Sequence, residues 1–297
     1  MMQLIWSGLF VGSFYALVAL GYSMVYGIIQ LLNFAHGDIY MLGAFIGFAL
    51  LAAVGGIPAS MSIVALLAVM LIAMVGTGMF GLVLERVAYK PLRNSSRLAA
   101  LITAVGASFA IEYGMSLLAG PNPEVYPVQL SGESFTVLGA RISPQQIILM
   151  VVALLLMGGL TYYVQRTRSG RAMRAIAMDP RACLYMGVNV DKVISLTFFI
   201  GSALAGAAGV MAGAYYGSIT FLMGFIIGLK AFTAAVIGGI GSIPGAMLGG
   251  LTLGLLESFG AYFLGGQWRD VFTFGVLILL LTFRPTGLLG ERVTERV

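Results

Sequence analysis

Asn33, His36 and Asp38 fall within one short stretch, Ile29–Gly43, IQLLNFAHGDIYMLG, between two long apolar runs. An imidazole beside a carboxylate and an amide suggests a metal site or a general base. A metal would need further ligands, but His36 is the only histidine and Cys183 the only cysteine, so no cluster can form around them. A general base would need a nucleophile at readable spacing, and none accompanies it. With no Ser/His, Glu/His or metal constellation, an intramembrane enzyme is disfavoured and catalytic residues are expected to be absent. Asn33, His36, Gly37 and Asp38 are better read as capping and pinning a helix break, with lining of a pathway second. Asp38, followed by Ile39 and Tyr40, is expected to cap the second span and leave free N–H groups near the break.

Three more ionisable residues, Glu112, Lys230 and Glu257, lie inside apolar runs. A charge at the bilayer centre costs ~2.5–3.5 kcal/mol on insertion scales, so each should face the bundle interior and find a partner. A structural ion pair between Lys230 and one glutamate is favoured over substrate contact. Any charged group of a transported solute would need partners, which keeps Lys230 and Asp38 as pathway candidates.

The elements that hold these residues follow from composition. The chain is 60% hydrophobic and 9% charged, with 41 glycines and a mean hydropathy of +1.00. That excludes a soluble fold and predicts an all-α polytopic membrane protein, since lipid offers the backbone no partner outside its own helix. The alternating segments of a membrane β-barrel are missing. Apolar runs predict spans near Leu4–Ile29, Ile39–Val54, Ala59–Leu84, Leu98–Ala119, Gln145–Val164, Val193–Tyr216, Gly224–Ile240, Ala246–Leu264 and Val271–Phe283. The second, seventh and ninth are short, so the expected number is 8 to 10, some short or broken. The N-terminus, MMQLIWSGLF, reads as the start of the first span rather than a removable signal.

The net charge of +5 is a topology signal rather than a nucleic-acid footprint. Thirteen of the sixteen basic residues lie in 85–97, 166–192 and the tail 284–297. These segments are expected to be cytoplasmic, with the N-terminus periplasmic and 120–144 the long periplasmic loop. Parity then puts the Asn33–Asp38 break on the cytoplasmic side unless it dips inward, which the short second span permits. In the periplasmic loop a strand pair or lid is expected around Val128–Leu130 and Phe135–Leu138, with Glu124 and Glu133 exposed; an ordinary connector and a docking surface are equally good readings of it. Gly201, Ala205 and Gly209, and likewise Gly250 and Gly254, recur every four residues and predict close helix packing. The breakers from Gly238 to Gly245 must interrupt a helix; without a following Lys-Ser/Thr they are not a phosphate loop.

Within 166–192, Ser169 is a plausible cap for a helix ending by Asp179. Asp179 can cap a second helix with Pro180 at its first position and Gly187 past its end. Such a pair could lie on lipid phosphates or seat in a groove of a cytosolic partner, and residue physics leaves the two level.

Three stretches, NFAHGDIYMLGAF, GRAMRAIAMDPRACLYMGVNVDKVISLTFFIGSALAGAAGVMAG and GLKAFTAAVIGGIGSIPGAMLGGLTLGLLE, cover about a third of the chain. In order and spacing they resemble the inner-membrane permeases of branched-chain amino acid ABC transporters of bacteria. The resemblance implies a single permease domain that imports branched-chain amino acids such as leucine, isoleucine and valine. It implies as partners a second homologous permease, two cytosolic ATPases that carry ATP and Mg, and a periplasmic binding protein, with membrane lipid around the chain and no cofactor bound by it. It also implies a coupling helix within Gly170–Gly187, including Arg171, Arg174, Ala177, Asp179, Pro180 and Ala182. A permease of the same kind for urea, amides or sugars, and a gradient-driven secondary transporter, stand as alternatives.

Overall fold

The computed structural model describes residues 1–55, 62–93, 95–128, 134–137, 139–284 and 286–290. Glu133, Leu130, Arg292 and Arg296 lie outside them. Among the described residues nine apolar helices occupy the nine predicted spans: α1 (Met2–Ile29), α2 (His36–Ala53), α3 (Ser62–Leu84), α4 (Arg97–Ala119) and α5 (Pro144–Arg166), then, after two short helices α6 (Arg168–Met178) and α7 (Pro180–Tyr185), α8 (Val190–Tyr216), α9 (Met223–Gly238), α10 (Ile243–Leu264) and α11 (Arg269–Phe283). Eight segments are long and apolar enough to cross a membrane; α9, with 16 residues, is shorter.

The centre is built from α1, α2, α8, α9 and α10, and glycine lets them touch backbone to backbone. Gly8 and Gly12 of α1 face Gly250, Leu251, Gly254 and Leu255 of α10, where a Cβ on Gly12 would come within 2.9 Å of the Leu251 backbone. Gly43 of α2 meets Gly206 of α8, and Gly201 meets Gly21. This is the small-residue packing expected of membrane helices, where apolar burial gives no preference for one helix face and close contact decides. The Gly238–Gly245 cluster breaks the chain as predicted: Gly239 and Gly241 take φ of 102° and 91°, and Ser242 caps α10 by accepting from the Gly245 N–H at 3.2 Å.

The basic segments gather at one end. Ile28, Gln30, Arg93, Asp179, Arg181 and Val190 share the lining of a cavity of about 590 Å³ there. The turn after α9 touches Gly27 and Ser23 of α1. The 286–290 segment folds back so that the Leu288 and Leu289 N–H groups donate to Ile237 and Gly238 at 2.8 and 2.9 Å, capping α9. At the opposite end, Gln3 accepts from the Arg141 N–H at 2.7 Å and Trp6 donates to Gln146 at 3.2 Å.

Two expectations are corrected. Residues 85–92 are not loop: α3 runs on through a π turn, Glu85–Tyr89, and a 3-10 turn, Lys90–Leu92. The described hairpin in 120–144 pairs β2 (Phe135–Val137) with β3 (Ala140–Ile142), and the expected pairing of Val128–Leu130 with Phe135–Leu138 falls partly outside the described residues. A second pair joins β1 (Glu124–Val125) to β4 (Ser218–Ile219), which ties the loop down on the end of α8 and leaves Glu124 partly covered. Burial pushes the pKa of the nearby Tyr126 hydroxyl up.

Candidate functional site

The polar break forms because α1 stops in a left-handed residue, Gln30 at φ 53°, whose N–H still bonds Tyr26 at 2.8 Å. The next five residues are unwound and α2 starts at His36. Asp38 is not the cap, as was expected. Ala35 holds that position without a side-chain bond, and Asp38 lies inside the first turn, where a carboxylate complements the positive end of the helix dipole. Its Oδ2 accepts from Ser108 of α4 at 2.5 Å, and its Oδ1 faces Gly224 in the first turn of α9. Two helix N-termini therefore meet around one buried carboxylate, an arrangement found in broken-helix transporters.

The other members are equally enclosed. Asn33 Oδ1 accepts from the Tyr89 hydroxyl at 2.6 Å. His36 stands edge-on to Tyr22 with ring centres 4.8 Å apart, in a slot that exists because positions 21 and 201 are glycines. Gly37 lets the α2 start press on Gly224 and Gly228. The Asn33 Nδ2, both His36 ring nitrogens and Asp38 Oδ1 are buried with no hydrogen-bond partner among the described residues. No group of three possible metal ligands occurs among those residues.

The break dips inward. His36 is level with Gly21, eight residues before the end of α1, and with Gly201, eleven residues after the start of α8. At 1.5 Å per residue that is about 12–17 Å from the basic end, just under a third of the way along α1 and about two fifths along α8.

Lys230 finds its partners as expected, but more of them. Its Nζ is 2.7 Å from Glu257 and 2.7 Å from Asp270, and Arg269 Nε is 3.1 Å from Glu257. The four charges cancel, which compensates the desolvation of Lys230 and Glu257, 6% and 2% exposed. Sequence reasoning had left Arg269 and Asp270 in a loop; their nearness to an apolar run was the only signal. Glu112 is buried without an ion pair among the described residues, one turn along α4 from Ser108. Ser108 itself was missed, because a single serine in an apolar helix has no distinguishing pattern.

The 166–192 segment makes the two expected helices, with one changed cap. Thr167, not Ser169, accepts from the Gly170 N–H at 3.1 Å. Asp179 caps α7 by accepting from Arg181 and Ala182 at 2.8 and 3.0 Å, Pro180 is its first residue, and Gly187 takes φ 79° beyond its end. Gly170 allows α6 to abut the last carbonyls of α5, and Arg174 donates to the Val164 carbonyl. Met173, Ile176 and Cys183 turn inward, whereas Arg171, Ala177 and Ala182 are exposed. So are Met178, Leu184, Tyr185 and Met186, the last two 91% and 83% exposed.

The sequence profile described as "Branched-chain amino acid transport system / permease component" matches residues 4–281. The high-affinity branched-chain amino acid transport system permease protein BraD of Pseudomonas aeruginosa is 48% identical, with the whole of this chain matched to 98% of it. The corresponding LivH protein of Escherichia coli is 44% identical, covering 100% of this chain and 97% of the relative. Among solved structures, a metal-chelate type ABC transporter in an inward-facing conformation aligns over 94% of this chain and 85% of its own, with a TM-score of 0.52 and 18% identity, a likeness of fold.

Proposed function

The chain belongs to the permease-component family of branched-chain amino acid transport systems, and from that premise we propose that it is the membrane-spanning permease subunit of an ATP-driven importer of branched-chain amino acids. It is a multi-pass membrane component of a transporter rather than an enzyme. In this reading ATP and Mg bind on two cytosolic ATPases, a second homologous permease completes the pathway, and a periplasmic binding protein delivers the solute. The basic end faces the cytoplasm, following the excess of arginine and lysine there.

The observation that carries the reading is the α6–α7 pair. Its inner face packs on the bundle while Met178, Leu184, Tyr185 and Met186 stand exposed at the basic end, beyond the spans. Exposed apolar residues grouped outside the lipid zone favour a protein surface as their cover. Gly170, Arg174, Asp179, Pro180 and Gly187 shape the pair, and Arg171, Ala177 and Ala182 are on its free side; together they form the proposed ATPase contact. Asn33, His36 and Asp38, with their buried and unpartnered polar atoms, and Gly37 between them are proposed to border the path of the solute's charged groups. Lys230 is assigned to the ion-pair network instead of the path, since its ammonium already has two carboxylates. Relatives matched from end to end carry branched-chain amino acid names, which favours these solutes over urea, amides or sugars.

The test is uptake of radiolabelled leucine into vesicles holding the assembled transporter, with ATP and an ion gradient supplied separately. Uptake with ATP alone is expected; uptake sustained by a gradient with the ATPases absent would defeat the proposal.

A further inference from the structure

The π turn Glu85–Tyr89 packs on α8, whose start follows the segment that would meet the motor, and it also bonds the buried break. At its start, Glu85 is fully buried, where an unpaired carboxylate would be costly, and it is satisfied by Ser195 of α8 at 2.8 Å and by Arg93. Arg93 and Lys90 both reach Asp191, in the first turn of α8, at 2.5 and 2.7 Å. Asp191 follows Asn189, which caps α8 by accepting from the Lys192 N–H at 3.0 Å, and Gly187, which ends the α6–α7 pair. At the other end of the turn Tyr89, 1% exposed, rests on Phe198 with ring centres 5.4 Å apart and donates to Asn33 at 2.6 Å.

We propose that this π turn is the relay between the α6–α7 segment and the Asn33–Asp38 break, with Glu85 and Tyr89 as its positioning residues; the proposal rests on the ATP-driven reading above. A displacement of α6–α7 pulls on the start of α8, which carries Glu85 through Ser195 and Arg93. Tyr89, four residues on, then moves Asn33, whose other polar atom has no partner among the described residues to resist it. A π turn holds one residue more than an α turn, and passing that residue along the helix rotates the side chains beyond it by about 100°. Such a passage would give the turn two arrangements, one before and one after the residue moves, and a relay needs two.

The experiment uses the full transporter in vesicles, with ATPases and binding protein present, and measures leucine uptake and ATP hydrolysis together. ATP-dependent uptake by the unaltered protein comes first; its failure would overturn the functional reading and not the relay alone. Tyr89→Phe keeps the ring on Phe198 and removes the bond to Asn33. It is expected to lower uptake at least tenfold with hydrolysis within twofold, so that ATP consumed per leucine rises at least fivefold. In an Asn33→Ala background the same change should raise the ratio no further, since the bond is already gone. Should Tyr89→Phe fail to accumulate, Ser195→Ala cuts the link on the α8 side and is expected to raise the ratio too. A ratio unchanged in the variant that accumulates, with uptake and hydrolysis both intact or both reduced, would overturn the relay.

Discussion

Asp38 is the residue on which the buried break depends, because its carboxyl group lies between two helix starts. Replacing it with alanine removes the acceptor of Ser108 and leaves the two helix starts without the carboxyl group that faces them. Asp38→Ala is therefore expected to reduce leucine uptake far more than Glu124→Ala at the opposite end; equal uptake by Asp38→Ala and the unaltered protein would reduce the residue to a dispensable one. Lys230 gives a different test. Lys230→Met leaves Glu257, 2% exposed, against Arg269 alone and removes the partner of Asp270. Removing one member of a buried pair costs about 3–5 kcal/mol, so the variant should unfold at markedly lower denaturant in detergent. If the network is structural, the uptake rate per folded molecule stays near normal.

Helices of this protein are placed by their small residues more than by their large ones. Gly254 of α10 sits on Gly8 and Gly12 of α1 with no room for a side chain, so Gly254→Leu must part the two helices. The expected result is poor accumulation of the protein in the membrane, whereas Gly158→Leu on α5, where a Cβ meets nothing within 4 Å, should accumulate normally. The α6–α7 pair is held by caps. Asp179→Ala forfeits two backbone bonds, about 1 kcal/mol, and Gly187→Ala forces a side chain into φ 79°, about 1–2 kcal/mol. Both variants should still insert, with transport-linked ATP hydrolysis reduced; a full rate in both would remove the segment from the ATPase contact.

On the scale of the molecule the charges divide the bundle into a basic end and an opposite end carrying the short strands. The proposed orientation predicts which end a membrane-impermeant thiol reagent reaches. With Cys183→Ser as background, Val125→Cys should be labelled in intact cells and Met178→Cys only in inside-out vesicles stripped of the ATPases; both native residues are exposed, 76% and 88%. The inverse pattern would reverse the orientation and with it the assignment of α6–α7 to a cytosolic partner.

Sequence alone determined the helical membrane class, nine apolar segments, the segregation of basic residues, the helix break after α9 and the α6–α7 pair with Asp179 and Gly187 at their stations. All of these rest on local chemistry: hydropathy over a span's length, charge beside it, and residues whose backbone preferences act within four positions. Ser169 and Asp38 were misplaced as caps because several polar residues near a helix start can serve, and only the path of the chain selects one. Tertiary structure decided what needs distant partners: that Lys230 meets Glu257 and Asp270, that Ser108 bonds Asp38, that Tyr89 reaches Asn33 from a turn read as loop. It also set the depth of the break, since a stretch of unwound residues has no length preference of its own. Gly21 and Gly201, on two other helices, leave the slot into which His36 fits, and that slot lies about 12–17 Å in from the basic end.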